Sequence, residues 1–222
     1  MTTPHHLLNT TQQKLVEHQT ILKLFPTPVF KLKVNDPVYL KSLAKEVLNL
    51  KANEQGYQGI DLWCTYNNLH EHPAFKKLAD IIMTEMSNVF DNIGISRTGH
   101  YITGMWSNVA KMGYSHSYHN HPNSFYSGVL YLQLPKGAGK LFFADPRPVN
   151  AIVPEYDNPN PELVSGNFEI DPEEGIMFIF PSWFPHGVLS TRESPGAVDR
   201  ISLSFNIMLN ADIKMHTAKW KI

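Results

Sequence analysis

Apolar residues recur at helical spacing in the first half of the chain, whereas short apolar runs broken by turns fill the second half. The segments Val38 to Leu50 and Pro73 to Ile93 carry apolar side chains at steps of three or four, which predicts two amphipathic helices. An alternating run from Thr27 to Val34 precedes them and predicts a first strand. We therefore expect a mainly helical first half. After Gly94, aromatic and branched residues cluster between Gly, Pro and Asn in eight short runs, at 100–110, 124–134, 139–144, 150–153, 165–170, 175–180, 186–190 and 200–208.

Eight short strands without intervening helices are typical of an antiparallel sandwich or barrel. The expected fold class is mainly β with α: a cupin-like jelly roll on which the N-terminal helices pack. A chain of 222 residues suits a single domain. We assign residues 1–95 to an N-terminal strand and helical support, 96–210 to the β core and 211–222 to a tail. The Pro- and Asn-rich segment 145–161 predicts a long insert loop, a common position for a lid.

Composition and charge exclude several classes of protein and of binding partner. With 42% hydrophobic and 18% charged residues, the chain is neither disordered nor a coiled coil, and its net charge of −1 gives no basic surface for nucleic acid or an anionic membrane. The sequence shows neither a secretory signal nor an apolar run of membrane-spanning length. The single cysteine, Cys64, excludes an internal disulfide and paired-cysteine metal motifs. We expect a cytoplasmic protein acting on a small or weakly charged molecule.

Histidine is the unusual component, with 11 residues, and three of these lie in the segment GYSHSYHNHP at 113–122. In an extended chain His119 and His121 project from the same face, whereas His116 has the opposite parity. Two ligands are too few to hold a metal ion. The best third candidate is His186 in FPSWFPHGV, which begins another predicted strand.

Three imidazoles describe a transition-metal site without naming the metal. On spacing alone, an equally good interpretation is a polar loop whose histidines cap backbone groups, with His186 packed in the core. The close pair His70 and His72 precedes Pro73 and is better explained as a surface turn at the entry to a helix. His5 and His6 lie in a polar terminus and are given no role.

Arg200 opens the predicted strand 200–208, in which Arg200, Ser202, Ser204 and Asn206 alternate with apolar residues and share one face. An arginine beside hydroxyl groups is suited to hold a carboxylate through bidentate, charge-assisted hydrogen bonds. The alternation is explained equally well by a solvated outer face, and only the position of this strand decides between the two.

Four blocks occur in a fixed order: HNHPNSFYSGVLYL, GAGKLFFADPRP, PEEGIMFIFPSWFPHGV and DRISLSFNI. Together they resemble the double-stranded β-helix core of the 2-oxoglutarate- and Fe(II)-dependent oxygenases. The resemblance is strongest to a family of such oxygenases from marine bacteria and phages, distantly similar to the prolyl 4-hydroxylases, and it covers roughly residues 106–206.

The resemblance implies specific roles. The first iron-binding histidine falls on His119 and the distal one on His186, while Arg200 falls where a basic residue pairs with the distal carboxylate of 2-oxoglutarate. Ser202 falls where a hydroxyl group often assists that basic residue in binding 2-oxoglutarate. Two further residues fall on positions that face or reach the cosubstrate, Asn108 and Tyr131.

One position departs from the family pattern, since the superfamily usually carries Asp or Glu two residues after the first histidine and this chain has His121. Either His121 is the third ligand, or water or a distant carboxylate completes the site. Asp145 is the carboxylate to check first, although an Asp-Pro-Arg turn that uses Asp145 locally is the better explanation.

The implied activity is a dioxygenase that hydroxylates a small-molecule or peptide-like substrate while 2-oxoglutarate is decarboxylated to succinate. Its cofactors are Fe(II) and 2-oxoglutarate, and no catalytic residue beyond the metal centre is implied. Two alternatives remain from the residues themselves: a jelly-roll metal-binding or ligand-binding module without oxygenase activity, and a three-histidine cupin-type metalloenzyme that does not use 2-oxoglutarate.

Overall fold

In the part of the chain that the structure describes, two α-helices support the sheets. The structure is a computed structural model that describes residues 20–147, 155, 157, 160, 166–190, 198–210, 212–214 and 219–221. Helix α1, Pro37–Ala52, begins at Asp36, whose carboxylate accepts a hydrogen bond from the backbone N–H of Tyr39. Helix α2, Lys76–Asn92, follows a 3₁₀ turn, Pro73–Phe75. Both predicted helices are confirmed, and neither has the length and apolar character to cross a bilayer.

Within the described residues the strands form a seven-stranded sheet, a four-stranded sheet and a terminal hairpin. The strands are β1 Phe30–Lys33, β2 Gly56–Gln58, β3 Leu62–Thr65, β4 Gly99–Ala110, β5 His116–His119, β6 Tyr126–Gln133, β7 Leu141–Ala144, β8 Asn167–Ile170, β9 Ile176–Pro181, β10 His186–Val188, β11 Arg200–Asn210, β12 Asp212–Lys214 and β13 Lys219–Lys221. The larger sheet has the order β1-β9-β6-β11-β4-β3-β2 and the smaller one the order β5-β10-β7-β8, and the pairings are antiparallel.

The larger sheet lies between two apolar cores. On one side it packs against α1 and α2, and on the other a smaller cluster joins it to the four-stranded sheet. Strand β9 is buried throughout because Met177 and Ile179 belong to the helix-side core, whereas Phe178 and Phe180 belong to the cluster between the sheets. This arrangement explains its continuous apolar sequence. The expected fold class, a mainly β double-stranded β-helix with helices packed on it, is confirmed.

Two features differ from the expectation. The first half also contains a hairpin, β2 and β3, which adds to the edge of the large sheet through pairing of β3 with β4. The pattern gave little signal for it, because β2 has only three residues and none is buried. The segment assigned to a tail contains the hairpin of β12 and β13. The predicted strand at 150–153 and most of the insert loop at 145–161 lie outside the described residues.

Candidate metal centre

Three histidines come together where the small sheet opens toward the large one. His119 ends β5, His121 follows it in the loop, and His186 begins β10 directly opposite His119 in the register. One ring nitrogen from each lies within 4.8 Å of the others. The Nε2 atoms of His121 and His186 are 3.3 Å apart. The structure thus groups the three residues that the sequence selected as metal ligands.

The backbone fixes which ring nitrogens face this point. Nδ1 of His119 donates to the carbonyl of Ser117 at 2.7 Å, and Nδ1 of His186 donates to the carbonyl of Phe184 at 2.8 Å. A carbonyl only accepts, so Nδ1 carries a proton in both rings and Nε2 is the nitrogen left to bind a metal. Metal-binding histidines in proteins are oriented in this way by outer partners.

A hydrogen-bonded serine pair anchors the loop that carries His121. The backbone N–H of His121 donates to the carbonyl of Ser182 at 2.9 Å, and the hydroxyl groups of Ser182 and Ser127 are 2.7 Å apart. The Ser127 hydroxyl lies 2.8 Å from Oδ1 of Asn206. Both serines are fully buried, so this network holds the loop against β6 and β11.

The protonation state of the histidines suits metal binding. Burial, together with the charge on neighbouring histidines, lowers the pKa of His121 to about 4 and that of His186 to about 3. These imidazoles are therefore neutral at pH 7, the form that binds metal. Metal–nitrogen bonds of about 2.0–2.1 Å meeting at 90–110° place two ligand atoms about 2.9–3.4 Å apart, so the 3.3 Å spacing of the two Nε2 atoms fits a shared ion.

Asp145 does not join this group. Its carboxylate receives hydrogen bonds from the guanidinium of Arg147 at 2.6–3.2 Å and from the backbone N–H of the same residue at 3.0 Å. These bonds hold the pKa of Asp145 below its ordinary value. His70 and His72 also lie outside the group. His72 caps a 3₁₀ turn, where its Nδ1 accepts from the N–H of Ala74 at 3.3 Å, so the pair lies at the helix-entry turn that the sequence indicated.

Arg200 lies buried at the start of β11, with 3% of its surface exposed. Its side chain lines the same cavity as the three histidines, so the interpretation of its strand as a solvated outer face is wrong. Among the described residues, no partner is found for its Nε and Nη1 atoms or for the hydroxyl of Tyr131. Burial raises the pKa of Tyr131 to about 12, which keeps that hydroxyl protonated. A buried cation with unused donors is suited to an anion.

Two further sequence-selected residues, Ser202 and Asn108, line this cavity. The thiol of Cys64 donates to Oδ1 of Asn108 at 3.1 Å, which turns the amide NH₂ toward Ser204. Arg200, Ser202, Asn108 and Tyr131 therefore all present donors. A pocket lined by donors beside a histidine cluster fits an acidic ligand that also reaches a metal.

The expectation that His116 points away from the site is wrong. Residues His116 and His119 pair with Val188 and His186, so three steps along β5 match two along β10. This bulge restores His116 to the face of His119, and their rings stack 4.3 Å apart. Counting parity from the sequence assumes regular pairing, so nothing in the sequence signalled the bulge.

Comparisons with known proteins agree with this geometry. Residues 104–206 match a family model described as "Putative 2OG-Fe(II) oxygenase". A comparison with curated proteins gives no match. Among solved structures, a Pseudomonas putida prolyl-4-hydroxylase is 14% identical with a TM-score of 0.59, over 81% of this chain and 92% of that one.

Two other structures share the fold. The epimerase SnoN from nogalamycin biosynthesis, which is non-haem and α-ketoglutarate dependent, is 12% identical with a TM-score of 0.61, over 83% of this chain and 79% of that one. HygX from Streptomyces hygroscopicus, solved with nickel and 2-oxoglutarate, is 11% identical with a TM-score of 0.58, over 88% of this chain and 92% of that one. Residues 104–206 are thus similar to the 2-oxoglutarate- and Fe(II)-dependent oxygenases, and the chain shares its fold with these solved structures.

Proposed function

We propose that His119, His121 and His186 hold the Fe(II) of this oxygenase and that Arg200 holds the distal carboxylate of 2-oxoglutarate. The reaction is hydroxylation of a carbon–hydrogen bond: one oxygen atom of O₂ enters the substrate, the other enters succinate, and CO₂ leaves. The substrate is a small or peptide-like molecule. The observation that carries the proposal is a buried arginine, whose Nε and Nη1 atoms have no partner among the described residues, in the cavity that also contains the three imidazoles.

The metal assignment rests on the donor set. Fe(II), when bound, supplies the position at which O₂ is activated, and nitrogen ligands suit it. His119 and His186 are prepared for this role by their Nδ1 hydrogen bonds to backbone carbonyls. His121 stands where the superfamily usually has a carboxylate, and the serine pair beneath its loop fixes its position. A set of three neutral ligands leaves the full charge of the cation in the site, which favours an anionic cosubstrate.

The cosubstrate assignment rests on hydrogen-bond donors. The guanidinium group of Arg200 forms paired, charge-assisted bonds to a carboxylate, and burial in a low-dielectric site strengthens them. The hydroxyls of Ser202 and Tyr131 and the amide NH₂ of Asn108 add donors to the same ligand. Apolar side chains from the facing strands, Leu141, Phe180 and Val188, complete the wall and exclude water.

A binding experiment tests this assignment with two arginine variants. We expect Arg200→Ala to weaken 2-oxoglutarate binding by at least about 30-fold, since removing one partner of a buried charge pair costs about 2–5 kcal/mol. The control is Arg147→Ala, which removes an exposed arginine that pairs with Asp145, and it should bind like the wild type. The measurement is anaerobic calorimetric titration of metal-loaded protein.

The same titration decides between a 2-oxoglutarate-dependent oxygenase and a cupin-type enzyme that holds its metal with three histidines. The observation that favours the cupin-type enzyme is that all three candidate ligands are histidines. If Arg200→Ala binds 2-oxoglutarate as tightly as the wild type, or if the metal-loaded wild type does not bind it, the cosubstrate assignment fails and the cupin-type alternative gains.

A further inference from the structure

A fourth histidine, His116, enters the cavity because β5 bulges against β10. The extra residue of β5 lies between the pairs formed by His116 with Val188 and by His119 with His186. Gly187 makes room for this bulge, because a Cβ atom at that position would lie 2.7 Å from the carbonyl oxygen of His116. Bulges beside functional sites commonly redirect a side chain in this way.

The His116 ring has neighbours on two sides. It stacks on His119 with an interplanar angle of 18° and a centroid distance of 4.3 Å, and Tyr114 meets it edge-on at 6.1 Å. Together with Arg200 it lines the cavity. Within the part of the chain that the structure describes, neither ring nitrogen of His116 has a hydrogen-bond partner, unlike Nδ1 of His119 and of His186.

The position of its ring nitrogens argues against His116 as a fourth metal ligand. The group of nitrogens within 4.8 Å of one another contains His119, His121 and His186 and leaves out His116. What His116 offers to the cavity is an imidazole N–H, which donates to carboxylate oxygens.

We propose that His116 is a cosubstrate-binding residue that donates a hydrogen bond to 2-oxoglutarate between the metal and Arg200. This inference rests on the proposed function, because it takes the three histidines as metal ligands and Arg200 as the anchor of the same dicarboxylate. The competing explanation is that His116 only packs against His119 and keeps that ligand in place.

Two substitutions separate these explanations. His116→Phe keeps a flat ring on His119 but removes the N–H, and His116→Gln removes the ring but keeps a donor. We measure the affinity for the divalent metal alone, and then the affinity of the metal-loaded protein for 2-oxoglutarate, both anaerobically. His116→Phe should bind metal within about twofold of the wild type and 2-oxoglutarate about tenfold more weakly, the effect of losing one hydrogen bond to a charged group. His116→Gln should recover part of that loss.

The inference is overturned if His116→Phe binds 2-oxoglutarate like the wild type, or if metal affinity falls together with 2-oxoglutarate affinity. The second result would show that His116 acts through the metal centre. Arg200→Ala, measured alongside, separates this failure from failure of the proposed function: a loss in Arg200→Ala without a loss in His116→Phe refutes only the role of His116. Thermal melting of every variant confirms that it is folded.

Discussion

Replacing Arg200 by methionine should stabilise the ligand-free protein while removing most of its stabilisation by 2-oxoglutarate. Methionine has a similar length and no charge, so it fills the space and carries no unpaired donor of its own. Most substitutions of buried residues destabilise a protein, and a gain in stability here would show that Arg200 is retained for a ligand.

The expected gain in stability follows from the two guanidinium nitrogens of Arg200 that lack partners among the described residues. An unsatisfied buried polar group costs about 1–3 kcal/mol, so we expect Arg200→Met to gain about 2 kcal/mol. For a chain of this size that corresponds to a rise in Tm of about 4–8 °C. In the wild type, 2-oxoglutarate at 100 times its Kd should add about 2.7 kcal/mol, whereas a variant that binds at least about 30-fold more weakly should gain less than about 1 kcal/mol at the same concentration.

The assay is thermal unfolding of both proteins, each loaded anaerobically with the same divalent metal, with and without 2-oxoglutarate. Arg147→Met serves as the control, because that arginine is exposed and pairs with Asp145 outside the histidine group. The reasoning is refuted if Arg200→Met melts below the wild type without ligand, or if 2-oxoglutarate stabilises the variant as much as the wild type.

Three further predictions concern the surrounding residues. His121→Ala should weaken Fe(II) binding by more than about 100-fold, because loss of an outer-sphere partner alone typically costs about 10–100-fold. Asp145→Asn should leave Fe(II) binding unchanged. If His121→Ala binds Fe(II) as tightly as the wild type in an anaerobic metal titration, His121 is not a ligand. Cys64→Ala should weaken 2-oxoglutarate binding several-fold because Asn108 loses the donor that orients its amide, and Cys64→Ser should retain the affinity; calorimetry distinguishes them, and equal loss in both contradicts the orienting role. The pKa values of His121 and His186 are about 4 and about 3 in the folded protein, and both lie near 6.5 in the unfolded chain. Between pH 6.5 and 4 the unfolded state therefore binds more protons than the folded state. The Tm of the metal-free protein should fall as the pH drops through this range. A constant Tm over that range would contradict the burial of these rings.

The features of the site that depend on one segment of the chain could be predicted from the sequence. His119 and His121 alternate in an extended segment, and Arg200 alternates with the apolar residues of β11, so periodicity predicted which side chains share a face. Whether that face was solvated was not predictable, because burial of Arg200 depends on the small sheet covering the large one. That packing joins residues distant in the sequence, and alternation carries no information about it.

Residues that depend on irregular pairing escaped the sequence analysis. The bulge that brings His116 to the other three histidines changes the parity by one residue, and nothing in the local sequence specifies it. Cys64 acts on Asn108 only because β3 pairs with β4 in one register, and β3 itself lies in a hairpin too short to give a clear alternating signal. Hydrogen bonds between strands thus determined the parts of the site that the sequence did not predict.

The most direct test of the central claim is an anaerobic spectral titration of the Fe(II)-loaded protein with 2-oxoglutarate. If the three histidines hold iron and the cosubstrate chelates it beside Arg200, a metal-to-ligand charge-transfer band should grow in the visible and saturate at one 2-oxoglutarate per chain. His119→Ala should lose this band because it loses the iron. A wild-type protein that holds one Fe(II) per chain and gives no band at saturating 2-oxoglutarate would contradict the account.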